Sequence, residues 1–170
     1  MKIGILSDSH QRFDLTKLAL NHLVDLGVNH IIHAGDLETE QNLLLLKNTD
    51  IPYTCVFGNN DFRLVSLQDR YNIYQEPHYF KLSDLRFKLM HMPFHLSPDA
   101  DIIIYGHTHI EEVSYKNDTL FLNPGEICAR EKPQSTYMTL EITDEQYIIT
   151  TYINNFTTID TQRKVYDRTQ

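Results

Sequence analysis

Cysteine is almost absent: the 170 residues include only Cys55 and Cys128, in no CxxC spacing. That excludes a disulfide framework and a cysteine zinc knuckle, and both thiols are expected in the core. Glycine and proline are sparse, six of each, so collagen-like and low-complexity architectures fall away. Long apolar stretches are missing too. Residues 43–46 and 102–105 are runs of only four, against the roughly 20 residues a membrane-spanning helix requires, so a soluble chain with no membrane association is expected. The opening Met-Lys-Ile-Gly-Ile-Leu meets Ser7 and Asp8 before a secretory apolar region can form, which predicts no signal peptide and a cytoplasmic location. Basic residues are in deficit, 15 Lys and Arg against 23 Asp and Glu for a net charge of −8. With no Lys/Arg cluster among interleaved aromatics, nucleic acid is a poor expected partner.

What is present describes an ordinary packed domain, 41% apolar and 22% charged, of a length that closes one core. Residues 2–7 form a short Ile/Leu-rich run that stops at Asp8-Ser9-His10, predicting a buried strand and a loop at its carboxyl end. Leucines recur at helical spacing over 13–26 until Gly27. A strand over 29–34 follows, ending in Gly35-Asp36, and the unit predicts two parallel strands joined by a right-handed crossover. A helix near 39–47 and a strand over 51–57 repeat the pattern, which ends in Gly58-Asn59-Asn60-Asp61. Beyond a helical connection near 63–69 the periodicity predicts strands at about 78–82, 86–91, 101–105, 110–116, 119–122, 136–142 and 146–153, hence a second sheet. The expected organisation is one domain over 1–156 and a polar tail over 157–170, either a loose arm or packed on an edge.

The unusual polar residues lie at strand ends. Asp8, His10, Asp36, Asn59, His91, His107 and His109 offer two carboxylates, one amide oxygen and four imidazoles, with no thiolate. In open α/β sheets, loops beyond the carboxyl ends of the strands converge on one crevice. Such a donor set suits a pair of divalent transition ions, whereas calcium wants more oxygen. One carboxylate can bridge two ions about 3.5 Å apart. Each motif alone has a plainer reading: Asp8 or Asp36 as a helix N-cap, His107 and His109 as alternating strand residues. The ordered ensemble favours metal.

Taken in order, Asp-x-His, Gly-Asp, Gly-Asn-x-Asp, a lone His and Gly-His-x-His resemble the motifs of the calcineurin-like metallophosphoesterase superfamily, specifically its small YfcE-like phosphodiesterase branch, from Lys2 to about Asn154. The resemblance implies an α/β fold, a four-layer sandwich of two mixed β-sheets flanked by helices, with a dinuclear centre at one end. It implies Asp8, His10 and His109 on the first ion, Asn59, His91 and His107 on the second, and Asp36 bridging. It further implies in-line attack of a metal-bridging hydroxide on a small phosphate ester, with Asp36, Asn59, Asn60 and Asp61 as the catalytic loop residues. Manganese is the first expectation for the two divalent ions, with nickel, iron, zinc or cobalt as alternatives. Family members often assemble into dimers or larger forms.

The chain also departs from that pattern. Asn60 stands where many members have His and the small branch often has Cys, so the general acid is absent or lies elsewhere; Asn60 is expected to contact a phosphate oxygen and Asp61 to orient Asn59 or Asn60. Met92 stands where Gly is usual, and residues 92–100, with two prolines, replace a helix. His95 is a substitute ligand, the missing acid or an exposed loop residue. Asn123-Pro124-Gly125-Glu126 has Glu where Ser is usual and reads as a turn near the site. His33 is either a donor orienting a carboxylate or a packed strand residue, and His22 and His30 read as structural. A protein-contact scaffold, as in the retromer subunit with this fold, and a phosphomonoesterase are the competing functions.

Overall fold

The structure is a computed structural model that describes residues 1–168. Strand β1 (Lys2–Leu6) leads into helix α1 (Phe13–Asp25), then β2 (His30–His33), α2 (Glu40–Lys47) and β3 (Tyr53–Val56). Helix α1 forms because Leu15, Ala19, Leu20 and Leu23 share one buried face. It stops at Gly27, whose φ of +71° an L side chain would adopt only at a cost. Thr39 caps α2, its Oγ1 accepting the Asn42 N–H at 3.4 Å. A 3-10 helix over Phe62–Arg70 leads to the two-residue strand β4 (Ile73–Tyr74).

Strands β1 to β4 are parallel, as the crossover rule requires. Strand β10 (Ser135–Ile142) adds antiparallel to β1, β11 (Gln146–Asn154) antiparallel to β10, and β12 (Ile159–Asp167) antiparallel to β11. The resulting sheet has the order β12-β11-β10-β1-β2-β3-β4. The second sheet contains β5 (His78–Leu82), β6 (Leu85–Leu89), β7 (Ile102–Ile104), β8 (Glu111–Lys116) and β9 (Thr119–Pro124). Its order is β5-β6-β7-β9-β8, with β6, β7 and β9 parallel at its centre.

Alternation along β1 decides the layering. Ile3 and Ile5 face the second sheet with Ile32, Met138 and Leu140, and meet Phe87, Leu89, Ile102, Ile104 and Leu122. Leu6 and Ile31 face the other way, onto Leu15, Leu20, Leu23, Leu43 and Leu46 of the helices. The expected sandwich of two mixed sheets is therefore present, but the expected fourth layer is not: among the described residues every helix packs on the outer face of the large sheet and none covers the small one. The 3-10 helix packs into the helical cluster as well, through Leu64. On the far face of the second sheet, Met90, Ala100, Ile103 and Tyr105 form a small cluster of their own, flanked by turns over 92–100. These turns are anchored by the fully buried Lys88, whose Nζ donates to Asp99 Oδ1 at 3.0 Å and Ser97 Oγ at 3.1 Å.

The tail is not a loose arm, and that alternative is corrected: Ile159–Asp167 pairs with all nine residues of β11. Its sequence hides the strand because nearly every position is exposed, and an edge strand wet on both faces has no apolar alternation to read. Residues 169 and 170, the end of the tail, lie outside the described residues. No helix among the described residues is long and apolar enough to cross a membrane.

Strand β12 covers an edge that would otherwise offer unpaired backbone groups to another chain. A chain ending at Asn155 is expected to fold, to melt several degrees lower and to self-associate. Thermal melting and light scattering across a concentration series check this; an unchanged midpoint with a monodisperse species contradicts it.

Candidate metal centre

The loops after β1, β2 and β3 of the large sheet meet those after β6 and β7 of the small one. Backbone bonds stitch them together: Asp8 N–H to Gly35 O at 3.1 Å, His10 N–H to Asp36 O at 2.8 Å and Gly106 N–H to His91 O at 3.1 Å. Two glycines make this closure possible. A Cβ on Gly58 would lie 2.2 Å from Asp36 Oδ1, and one on Gly106 would lie 2.1 Å from Ser7 Oγ. The turns are tight enough that Asp8, His10, Asp36, Glu38, His107 and His109 all adopt left-handed φ values between 46° and 68°. Each costs about 1–3 kcal/mol, and such strain concentrates at functional sites.

All seven side chains singled out in the sequence come together. His109 Nε2 is 3.3 Å from Asp8 Oδ1. Asp36 Oδ2 is 3.9 Å from His10 Nε2 and 3.5 Å from His91 Nε2. Asn59 Oδ1 is 3.0 Å from both His91 Nε2 and His107 Nδ1. One ligand atom each from Asp8, Asp36 and His91 lies within 4.8 Å of the other two.

Three of the imidazoles share a construction that fixes their tautomers. His91 Nδ1 donates to Ala34 O at 2.8 Å, His109 Nδ1 to Glu126 Oε2 at 2.6 Å, and His10 Nδ1 to Glu38 Oε1. Each ring, when neutral, therefore turns an Nε2 lone pair inward. Those lone pairs face oxygens: Asn59 Oδ1 and Asp36 Oδ2 for His91, Asp8 Oδ1 for His109, and Asp36 Oδ2 for His10. Asp8 Oδ1 and His10 Nε2 are buried and make no hydrogen bond. Acceptors that converge in a buried space need a proton or a cation between them. No lysine or arginine side chain pairs with any of these carboxylates among the described residues.

Electrostatics agree with that need. Burial raises the Asp8 carboxyl, as expected for a charge withdrawn from water with too little compensation. Burial would raise Asp36 as well, but bonding and charge from His91 and two Asn60 donors hold its carboxyl well below the usual range. His91 loses stability as a cation through burial yet is raised to about 9 by Asp36 and Asp8. Without metal, a proton on His91 does part of a cation's work.

The loop residues beside the candidate ligands have clear duties, and one differs from expectation. Asn60 donates one Nδ2–H to Asp36 Oδ2 at 2.6 Å and its backbone N–H to Oδ1 at 2.9 Å, so it holds Asp36 and keeps its second amide hydrogen for another acceptor. Asp61 does not orient Asn59 or Asn60. It accepts the backbone N–H groups of Asp36, Gly58 and Glu38 at 2.9, 2.8 and 2.6 Å and clamps two loops together. His95 is exposed, outside this network. His22 bonds Tyr137 Oη and His30 bonds Thr54 Oγ1, consistent with structural roles.

Sequence reasoning passed over Ser7, Glu38, Cys128 and the role of Glu126. Ser7 Oγ donates to Asp8 Oδ2 at 2.6 Å. Cys128, expected as a core thiol, lies beside the centre, its Sγ within 4.8 Å of a His10 and a His109 nitrogen. The only available signal was a Glu two positions after Gly-Asp and another after Asn-Pro-Gly.

Residues 1–145 match the calcineurin-like phosphoesterase superfamily domain. The chain belongs to this superfamily. It is 29% identical over 141 residues to phosphodiesterase MJ0936 of Methanocaldococcus jannaschii, covering 75% of this chain and 85% of the relative. Among solved structures, a novel archaeal phosphodiesterase superposes with a TM-score of 0.73 at 25% identity, over 98% of this chain and all of the other (100%). Wild-type Vps29 of Entamoeba histolytica, complexed with zinc, superposes with a TM-score of 0.73 at 21% identity, over 98% and 99% of the two chains.

His33 gives the pH signature of this region. Fully buried, it is lowered to about 3, first by burial and then by the nearby His91 charge. Its ring stays neutral, bonded to Ser9 Oγ at 2.7 Å and accepting the Gly35 N–H at 3.2 Å. Because the folded value lies below the unfolded 6.5, its contribution is intact above pH 6.5 and shrinks as pH falls toward 3, by about 1.4 kcal/mol per pH unit. Urea unfolding from pH 7 to 4 is expected to show this slope, and His33→Gln to remove about one proton's worth of it. Parallel curves for the two proteins contradict the assignment.

Proposed function

We propose that the chain is a dinuclear metal-dependent phosphodiesterase acting on small phosphate diesters, with phosphomonoesters the poorer substrates. The observation that carries it is the convergence of the His10, His91 and His109 Nε2 atoms on carboxylate and amide oxygens, with Asp8 Oδ1 and His10 Nε2 buried and without a hydrogen bond. Asp8, His10 and His109 would hold one divalent ion, Asn59, His91 and His107 a second, and Asp36 both. The donor set fits manganese first, with iron, nickel, cobalt and zinc as substitutes. Zinc in the Vps29 complex and the activity named for the archaeal relatives support the reading.

When bound, such ions stabilise charge on phosphoryl oxygens and lower the pKa of a water. Two dications would offset Asp8 and Asp36 and the Glu38 and Glu126 carboxylates behind His10 and His109, and would draw phosphate oxygens by direct coordination. Asn60 fixes the orientation of Asp36 and Asp61 fixes the backbone beneath it. Neither delivers a proton to a leaving oxygen: Asn60 is an amide, and Asp61 is buried and committed to three backbone donors. Catalysis therefore depends on the leaving group's own acidity, and aryl diesters should be cleaved much faster than alkyl diesters. The Vps29 similarity keeps a protein-contact scaffold as the second reading; the complete ligand set argues for catalysis.

Protein purified without chelator is expected to contain manganese, iron, nickel or zinc and to hydrolyse bis-p-nitrophenyl phosphate, with stimulation by Mn²⁺. No metal and no turnover would favour the scaffold. Asp36→Asn is expected to abolish turnover while the fold is retained by circular dichroism; unimpaired turnover refutes the role of Asp36. Asn60→His, which introduces an acid where the superfamily often has one, is expected to raise alkyl diester hydrolysis by about 10²-fold or more and aryl hydrolysis far less. An equal effect on both substrates shows that proton delivery does not limit the reaction.

A further inference from the structure

The two halves of the centre are not built alike. In one half, the rings of His10 and His109 are each backed by a carboxylate, Glu38 for the first and Glu126 at 2.6 Å for the second. In the other half, His91 is backed by the neutral carbonyl of Ala34 at 2.8 Å. His107, which is exposed, has its Nδ1 turned inward on Asn59 Oδ1 at 3.0 Å. Asp36 faces both halves. Excluding it, the first half holds the carboxylates of Asp8, Glu38 and Glu126, whereas the second half offers Asn59, His91 and His107, and its one adjoining carboxylate, Glu76, bonds the His91 and Met92 backbone N–H groups and no imidazole ring.

Glu126 is itself held in place. It is 2% exposed, and beyond His109 it accepts Cys128 Sγ–H at 3.2 Å and the backbone N–H groups of Glu131 and Lys132 at 2.8 and 3.1 Å. Four donors suit a carboxylate and no other side chain of this size. Glu38 is placed by Asp61, which takes its backbone N–H, and Gln11 Nε2–H donates to its Oε2 at 3.0 Å. A carboxylate behind a ligating imidazole fixes ring orientation and raises the basicity of the opposite nitrogen; losing such a partner typically costs 10- to 100-fold in metal affinity.

We propose that Glu38 and Glu126 are positioning residues that make the Asp8, His10 and His109 half the tighter cation site, so that the centre loads one ion firmly and the second exchangeably. This rests on the metal reading above. The first ion stays bound at low free metal, and the second, held by neutral donors and the shared Asp36, makes occupancy of the full centre depend on metal supply.

The test is calorimetric titration of chelator-stripped protein with Mn²⁺, alongside electron paramagnetic resonance at one and two equivalents. Wild type is expected to bind in two steps, with an isolated six-line signal at one equivalent and a coupled spectrum at two. Glu38→Gln and Glu126→Gln are each expected to weaken the first step by about 10- to 100-fold and leave the second within about threefold. Should Glu126→Gln fail to fold, as melting of the metal-free protein would show, Glu38→Gln decides alone, since among the described residues the Glu38 side chain bonds only His10 and Gln11. Wild type that binds no manganese defeats the metal reading itself. Wild type that binds two ions with a single affinity, or variants that leave the first step unchanged or weaken both steps alike, overturn the inference while leaving that reading standing.

Discussion

Unsatisfied acceptors packed against one another are unstable in a buried space, and the centre of this protein is made of them. Asp8 Oδ1 and His10 Nε2 have no hydrogen bond, and three histidines are anchored through Nδ1 so that their Nε2 atoms point at oxygens. Nothing in the surrounding protein relieves this. The nearest positive charge is a proton on His91, held there by Asp36 and Asp8. Binding of divalent cations is the simplest resolution, and the phosphoester chemistry of the superfamily follows from placing such cations where a phosphate can reach them.

The fold supplies what this arrangement costs. Six non-glycine residues around the centre have left-handed backbone, and close approaches at Gly58 and Gly106 leave no room for a side chain. Strained turns persist when the rest of the structure over-determines them. Here they are anchored at both ends by strands whose residues are completely buried, Ile3 to Leu6 with their neighbours on one side and Ile102 to Ile104 on the other. Packing two sheets face to face aligns their carboxyl edges, so loops separated by up to about a hundred residues of chain bond to each other directly, as His107 N–H does to Asp8 Oδ2 at 3.1 Å.

Chemically, the site is rich in acceptors and poor in acids. Asn60 and Asp61 both serve to hold Asp36, which leaves proton delivery to the leaving group unprovided for. The carboxylates behind His10 and His109 shift negative charge to one side of the centre. Two of this chain's departures from the resembled motifs, Asn60 and Glu126, fall on residues that hold candidate ligands, Asp36 and His109.

The candidate ligands were legible because chemistry demands particular residue types at strand ends, and Asp8, His10, Asp36, Asn59, His91, His107 and His109 announce themselves by type and order. The strands and helices of the core were legible for a related reason: burial on one face imposes a period of two or 3.6 on the residues that line it. Where burial imposes no period the sequence is mute, which is why β12, exposed on almost every position, and the two-residue β4 emerge only in the structure. The same limit applies to the partners of the ligands. Glu38 and Glu126 are ordinary acidic residues until folding carries them 28 and 17 positions across the chain to His10 and His109. Residue type and order determined which atoms could bind a cation; three-dimensional proximity alone decided which groups stand behind them, because a hydrogen bond depends on distance in space and leaves no pattern along the chain.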